Sequence, residues 1–150
     1  MFREIIYKLL LILLSFFSAR GWGWITVGSY YSYSYLYYPN DYDDFYVNLI
    51  AGKTYAIVAQ PEDKSENYGF NTTLTVTDPA SYSAFNDDWG GSPYPLSAAL
   101  NFTPTATGIT VIRLTAGYGQ YEGYVYTWVL DVTPCSASCG SKCFFCLKKT

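Results

Sequence analysis

Between Trp24 and Val132 the chain breaks into short runs in which apolar and polar residues alternate, separated by Gly, Pro, Asn and Asp. No segment keeps a 3.6-residue period for three turns, so the pattern predicts strands rather than helices. Phe45, Val47 and Leu49 alternate with Tyr46 and Asn48; Ala51-Gly52 then turns the chain into Tyr55, Ile57 and Ala59, which predicts a hairpin with one apolar face. Leu74 and Val76 alternate with Thr73, Thr75 and Thr77 before Asp78-Pro79 ends the run, and Leu100 and Phe102 do the same before Pro104. Ile112 and Leu114 flank an outward Arg113. In the last long strand Tyr124, Tyr126, Trp128, Leu130 and Val132 share one parity. These residues are the predicted core of an all-β sandwich.

Composition supports strands and narrows the function. Of 150 residues, half are apolar, 14% are charged and 17 are Tyr, a balance incompatible with a solvated disordered chain and suited to pleated, half-buried surfaces. Histidine is absent and all four Cys fall in the last sixteen residues, which removes most nucleophile and base pairings from the body and argues against an enzyme. Residues 22–134 hold eleven acidic side chains against three basic ones (Lys53, Lys64, Arg113), a net charge of −8. Such a surface repels nucleic acid and anionic membranes and attracts cations.

The two ends read differently from the body. Arg3 and Lys8, the apolar run Leu9 to Phe17, and the small residues Ser18, Ala19 and Gly21 form the layout of a secretory signal peptide. The run falls short of the roughly 20 residues a spanning helix needs, so the mature form is expected outside the membrane. In an exported chain Cys135, Cys139, Cys143 and Cys146 are expected to form disulfides, within or between chains; a four-thiolate metal site is the alternative. Ser136, Ser138, Gly140 and Ser141 cannot build a core, which sets the tail apart from the sandwich.

Three groups of residues are candidate sites. Asp41, Asp43 and Asp44, with Asp87 and Asp88, concentrate oxygen ligands of the kind calcium needs, although capping of the first core strand by Asp43 and Asp44 and a solvated turn at Asp87-Asp88 account for them more simply. They lack the glycine and terminal Glu of an EF-hand loop, and nothing beside them supports a glycosidase pair. Tyr31, Tyr33, Tyr35 and Tyr37 lie on one face of a strand-like stretch, a row of large, rigid, amphipathic rings suited to carbohydrate stacking, protein contact or pairing with a neighbouring subunit; the alternative is one more layer of the sandwich. Asn71-Thr72-Thr73 and Asn101-Phe102-Thr103 are N-glycosylation sequons, and Asn101 has the parity opposite to Leu100 and Phe102.

A family resemblance runs through the body. Asp43-Asp44-Phe45-Tyr46-Val47-Asn48-Leu49 with Ala51-Gly52-Lys53-Thr54-Tyr55, then Thr73 to Pro79, Asn86-Asp87-Asp88, Leu100-Asn101-Phe102-Thr103-Pro104, Val111-Ile112-Arg113-Leu114, Gly117-Tyr118-Gly119 and Tyr126-Thr127-Trp128-Val129-Leu130 follow an order that resembles the bacterial and archaeal pre-peptidase C-terminal domain. The resemblance covers roughly residues 41–132 and implies a jelly-roll-like antiparallel β-sandwich that is not a catalytic unit. Related collagenase collagen-binding domains imply calcium near the N-terminal linker and surface aromatics for ligand contact. The chain departs from the pattern in lacking a peptidase domain, in its Tyr-rich front stretch and in its Cys tail.

Together these readings divide the chain into a signal peptide (1–21), a Tyr-rich strand segment (22–40), the sandwich (41–134) and the Cys-rich tail (135–150). The expected function is a secreted or cell-surface, non-catalytic structural or adhesive protein, able to self-associate into a filament or matrix. A calcium-stabilised carbohydrate- or protein-binding module and an accessory domain of a secreted hydrolase are the alternatives.

Overall fold

A computed structural model describes residues 22–28, 31–37, 41–62, 71–87, 97–116 and 123–133. The expected signal peptide and Cys tail, and Asp88, lie outside the described residues. Among those described, no helix is long and apolar enough to cross a membrane.

Among the described residues nine strands follow in order: β1 (Trp22–Trp24), β2 (Ser32–Leu36), β3 (Tyr42–Leu49), β4 (Tyr55–Pro61), β5 (Thr72–Thr77), β6 (Ser83–Asn86), β7 (Ala98–Phe102), β8 (Gly108–Ala116) and β9 (Gly123–Asp131). They form a five-stranded sheet, β1-β3-β8-β5-β6, and a four-stranded sheet, β2-β9-β4-β7. All pairings are antiparallel except the short β1, which lies parallel to β3 with Trp22 opposite Asp44 and Trp24 opposite Tyr46. Packing one sheet on the other buries a single core, as two apolar sheet faces require.

The alternation read from the sequence is the alternation of burial on most strands. Phe45, Val47 and Leu49 on β3, Leu74 and Val76 on β5, Leu100 and Phe102 on β7, and Ile112 and Leu114 on β8 all point inward and are buried. On β4 burial is not confined to one face: Ala56 and Val58 are as buried as Tyr55, Ile57 and Ala59. The Ala51-Gly52 turn forms, with Gly52 at φ +78°, a conformation that a Cβ strains, and with the Lys53 N–H donating to the Ile50 carbonyl at 3.2 Å. It does not close the expected hairpin, because β3 pairs with β8 in one sheet and β4 with β7 and β9 in the other. The turn therefore carries the chain from sheet to sheet, and both strands point their apolar faces into the shared core.

On β9 the structure corrects the expected core. The inward residues are Val125, Thr127 and Val129, whereas Tyr124 is exposed and Tyr126, Trp128 and Leu130 are half-buried; Val132, just past the strand, is buried as expected. Both parities of this strand are apolar, and because the side-chain period is two, hydrophobicity alone does not choose between them. The smaller, β-branched set fits between the sheets, and the larger aromatic set lies against the aromatic row of β2.

The Tyr-rich stretch is likewise part of the sandwich. β2 forms a five-residue ladder with β9, from Ser32 opposite Thr127 to Leu36 opposite Gly123. Ser34 and Leu36 turn inward, and Leu36 is fully buried in the core cluster together with Ile25. One consequence is an expected loss of about 2 to 5 kcal/mol in Leu36→Ala, the usual cost of emptying a buried Leu site. A urea unfolding curve measures it. A change below ~0.5 kcal/mol, the size typical of a surface substitution, would separate β2 from the folded core.

A buried carboxylate closes the β5–β6 turn. Asp78 Oδ1 accepts from the backbone N–H of Ala80 (2.9 Å) and of Tyr82 (2.9 Å), and Oδ2 accepts from the Thr105 N–H (2.7 Å), the Thr105 hydroxyl (2.7 Å) and the Ala106 N–H (3.3 Å). The turn is thereby tied to the loop between β7 and β8. Burial by itself would push this carboxyl up, but the hydrogen bonds from Thr105, Tyr82 and Ala106 outweigh it and hold the group at about 2. Its folded value lies below the ordinary carboxylate value, so its contribution is complete above about pH 4 and is lost as pH falls toward 2. Asp78→Asn should therefore melt lower than the parent at neutral pH, by on the order of 10 °C, with the gap closing between pH 4 and 2. Melting curves across that range test this; a gap independent of pH would show that the charge of Asp78 is not what matters.

Candidate functional site

The expected acidic site is dispersed by the strands that carry it. Asp41 Oδ1 and Oδ2 accept from the backbone N–H of Tyr42 (3.0 Å) and Tyr37 (2.9 Å), so its carboxylate caps the start of β3. Asp43 and Asp44 are consecutive on β3 and leave it on opposite faces: Asp43 is buried on the core side and Asp44 faces outward. Arg113, opposite Asp44 on β8, donates through Nε to Oδ1 and through Nη2 to Oδ2, both at 2.7 Å, and its guanidinium lies 4.2 Å from the centre of the Tyr42 ring. Asp87 follows β6, three strand spacings from β3 or about 14 Å, and accepts from Asn71 Nδ2 at 3.3 Å. Among the described residues no three acidic, His or Cys side chains are placed to hold one metal ion.

The two sequons are placed differently. Asn71 is half-buried, with Nδ2 on Asp87 and its Oδ1 buried. Asn101 is exposed on β7, which forms one edge of the four-stranded sheet, on the side away from the core.

The tyrosines do converge. Because Ser34 and Leu36 face inward, Tyr33 and Tyr35 face outward from β2, and Tyr31 and Tyr37 continue the row beyond its ends. In register, Tyr33 lies opposite Tyr126 and Tyr35 opposite Tyr124, so the outward parity of β9 adds Tyr124, Tyr126 and Trp128 to the same outer face. The rings brace one another edge to face. Tyr31 and Tyr126 stand 4.8 Å apart at 79°, Tyr35 and Tyr124 4.7 Å at 75°, and Tyr35 and Tyr37 4.8 Å at 64°. Tyr33 contacts Tyr124 at 6.1 Å, and Trp128 contacts Tyr31 and Tyr126 at 6.1 and 6.3 Å. Such tilted contacts suit the ring quadrupoles and fix each ring in place.

The face combines exposure with low charge. Tyr33 and Tyr37 are 65% and 58% exposed, and Tyr31 and Tyr124 are also exposed. The outward residues of β4 and β7 beside the rings are Ala56, Val58, Gln60, Ala99 and Asn101. Glu62, just past β4, accepts a 2.8 Å hydrogen bond from the Tyr126 hydroxyl. That bond, with some burial and the carboxylate's charge, pushes the Tyr126 phenol above its ordinary value, so it stays neutral at physiological pH.

Sequence reasoning found the β2 half of this face and missed the β9 half, because Tyr124, Tyr126 and Trp128 were assigned inward. The signal that finds them is the length match: two runs of aromatics spaced by two residues pair in register only if both point the same way.

No family model matches the chain, and no curated protein matches it. Solved structures do. The chain is similar to the pre-peptidase C-terminal domain of a collagenase from Bacillus anthracis, with 18% identity and a TM-score of 0.53 over 73% of this chain and 95% of that one. It is also similar to CorA, a surface-associated copper-binding protein of Methylomicrobium album BG8, with 12% identity and a TM-score of 0.52 over 73% of this chain and 96% of that one. Identities this low establish architecture alone, and on that basis the fold of this chain is that of a pre-peptidase C-terminal-like β-sandwich.

Proposed function

We propose that this protein is a non-catalytic extracellular adhesive module that holds its partner on the outer aromatic face of the four-stranded sheet. The observation that carries the reading is the convergence of seven aromatic side chains, from Tyr31 to Tyr37 and from Tyr124 to Trp128, on that one face. Exposed aromatic clusters of this kind mark contact surfaces, since soluble domains otherwise keep them covered. Bracing lowers the entropy lost when a partner orders the rings. The similar folds of a collagenase accessory domain and of a surface-associated binding protein support a role outside the cell and without catalysis.

Retention on envelope material from the producing organism tests the reading. The full chain should sediment with that material, and the triple substitution Tyr31→Ala, Tyr33→Ala, Tyr37→Ala should lower the bound fraction at least ~10-fold while the circular dichroism spectrum is unchanged, because these side chains are exposed. Equal retention of both proteins would remove the aromatic face from the adhesive role.

A second reading, self-association into a filament or matrix, is favoured by one observation. Among the described residues β2 is an edge strand, paired with β9 on one side only, and an unpaired edge is a template for strand addition by another chain. The cysteines at 135, 139, 143 and 146 would then serve as cross-links. Negative-stain images of native material should show polymers that shorten on reduction; a strictly monomeric species under non-reducing conditions would end this reading.

A further inference from the structure

We infer that the aromatic ridge of β2 and β9 is a track for a linear, uncharged polysaccharide, an assignment that rests on the reading of this face as the contact surface. Its dimensions come first. From Tyr31 to Tyr37 the row spans six residues, about 20 Å at the rise of a strand, and it is two strands wide, about 10 Å with side chains included. The exposed strip is thus about twice as long as it is wide, unlike the broad patch with a buried centre and a polar rim on which globular proteins dock. A chain-like ligand lying along the ridge needs no broader surface.

The beds beside the ridge do not widen it. The outward Ala56, Val58 and Ala99 are already covered, each 5% exposed or less, so the accessible strip is the rings themselves. Those rings form two contact series set end to end along the ladder, Tyr37 through Tyr35 to Tyr124 and Tyr33, and Tyr31 with Tyr126 and Trp128. Repeated contact along a line suits a repeating polymer better than a single compact molecule, for which a concave pocket is the usual site.

Charge selects among polymers. Among the described residues the outward positions of β2, β4, β7 and β9 hold no Lys or Arg, and the charged groups beside the row are carboxylates, Glu62 on the Tyr126 hydroxyl and Asp41 on the Tyr37 N–H. Residues 22–134 carry a net charge of −8. A polyanion, whether nucleic acid or an acidic glycan, would meet repulsion and no compensating cation. A β-strand peptide satisfies its backbone groups along a sheet edge, and a Pro-rich peptide docks in aromatic-lined grooves, whereas these rings stand outward on a sheet face. Sugar rings present C–H faces to aromatic faces and hydroxyls to phenol rims, and an uncharged glycan gives up no ionic hydration on docking.

Affinity electrophoresis of the full chain in gels containing hydroxyethyl cellulose, soluble mannan or alginate tests the inference. Retardation is expected in at least one of the two neutral gels and not in alginate, and it should persist in 0.5 M NaCl because no ion pairs are involved. Tyr33→Ala with Tyr37→Ala should weaken that binding at least ~10-fold, whereas Tyr33→Phe with Tyr37→Phe should keep most of it, since stacking needs the ring and not the hydroxyl. Retardation in neither neutral gel, retardation in alginate alone, or indifference to the Ala substitutions would overturn the assignment. If envelope retention depends on the tyrosines while both neutral gels leave the chain unretarded, the contact face stands and the ligand class falls.

Discussion

The ladder between β2 and β9 fixes the rest of the arrangement. With Ser34 opposite Val125 and Leu36 opposite Gly123, two strands turn their smaller residues toward the core and their aromatics toward the outside. A slip of β2 by one residue would reverse this on that strand, since β9 is held by β4: the β2 tyrosine rings would enter an interior packed to crystal-like density, and Leu36 would lose its fully buried place. The core and the aromatic face are thus two sides of one register. Small inward residues carry a cost, since the hydroxyls of Ser34 and Thr127 are buried without hydrogen-bond partners, at roughly 1 kcal/mol or more each.

That cost explains which parts of the molecule could be read from the sequence. On β3, β5, β7 and β8 one parity is clearly more apolar than the other, and the inward set was legible as alternation: Phe45, Val47 and Leu49, or Ile112 and Leu114 around Arg113. On β9 the inward set includes Thr127, and the outward set holds Tyr, Trp and Leu, so a reading by hydrophobicity alone inverts the strand. On β4 no single-face reading suffices, because its outward Ala56 and Val58 are small and sit between side chains of the neighbouring strands, Leu130 and Asn101 beside the first and Trp128 and Ala99 beside the second.

The candidate sites divide along the same line. A tyrosine row spaced by two residues states its own geometry once the strand is given, which is why Tyr31 to Tyr37 were legible as a face. Carboxylates do not. The closeness of Asp43 and Asp44 in sequence becomes separation on a pleated strand, and the bidentate partner of Asp44 comes from Arg113, 69 positions away. The five-fold coordination of Asp78 likewise joins Asp78 to Thr105 and Ala106, and the run Asp78-Pro79 announces only that a strand ends there.

The placement of the aromatics on β9 also has a mechanical meaning. This strand carries half of the ridge, and the chain leaves it directly at Asp131 toward Thr133. Were the proposed ligand on the rings pulled against a chain held beyond Thr133, the tension would pass along β9 itself. It would load the flanking ladders with β2 and with β4, from Tyr55 opposite Asp131 to Pro61 opposite Val125, lengthwise, so that many hydrogen bonds would have to shear together instead of opening one at a time. The five-stranded sheet, which pairs with none of these three strands, lies outside this path.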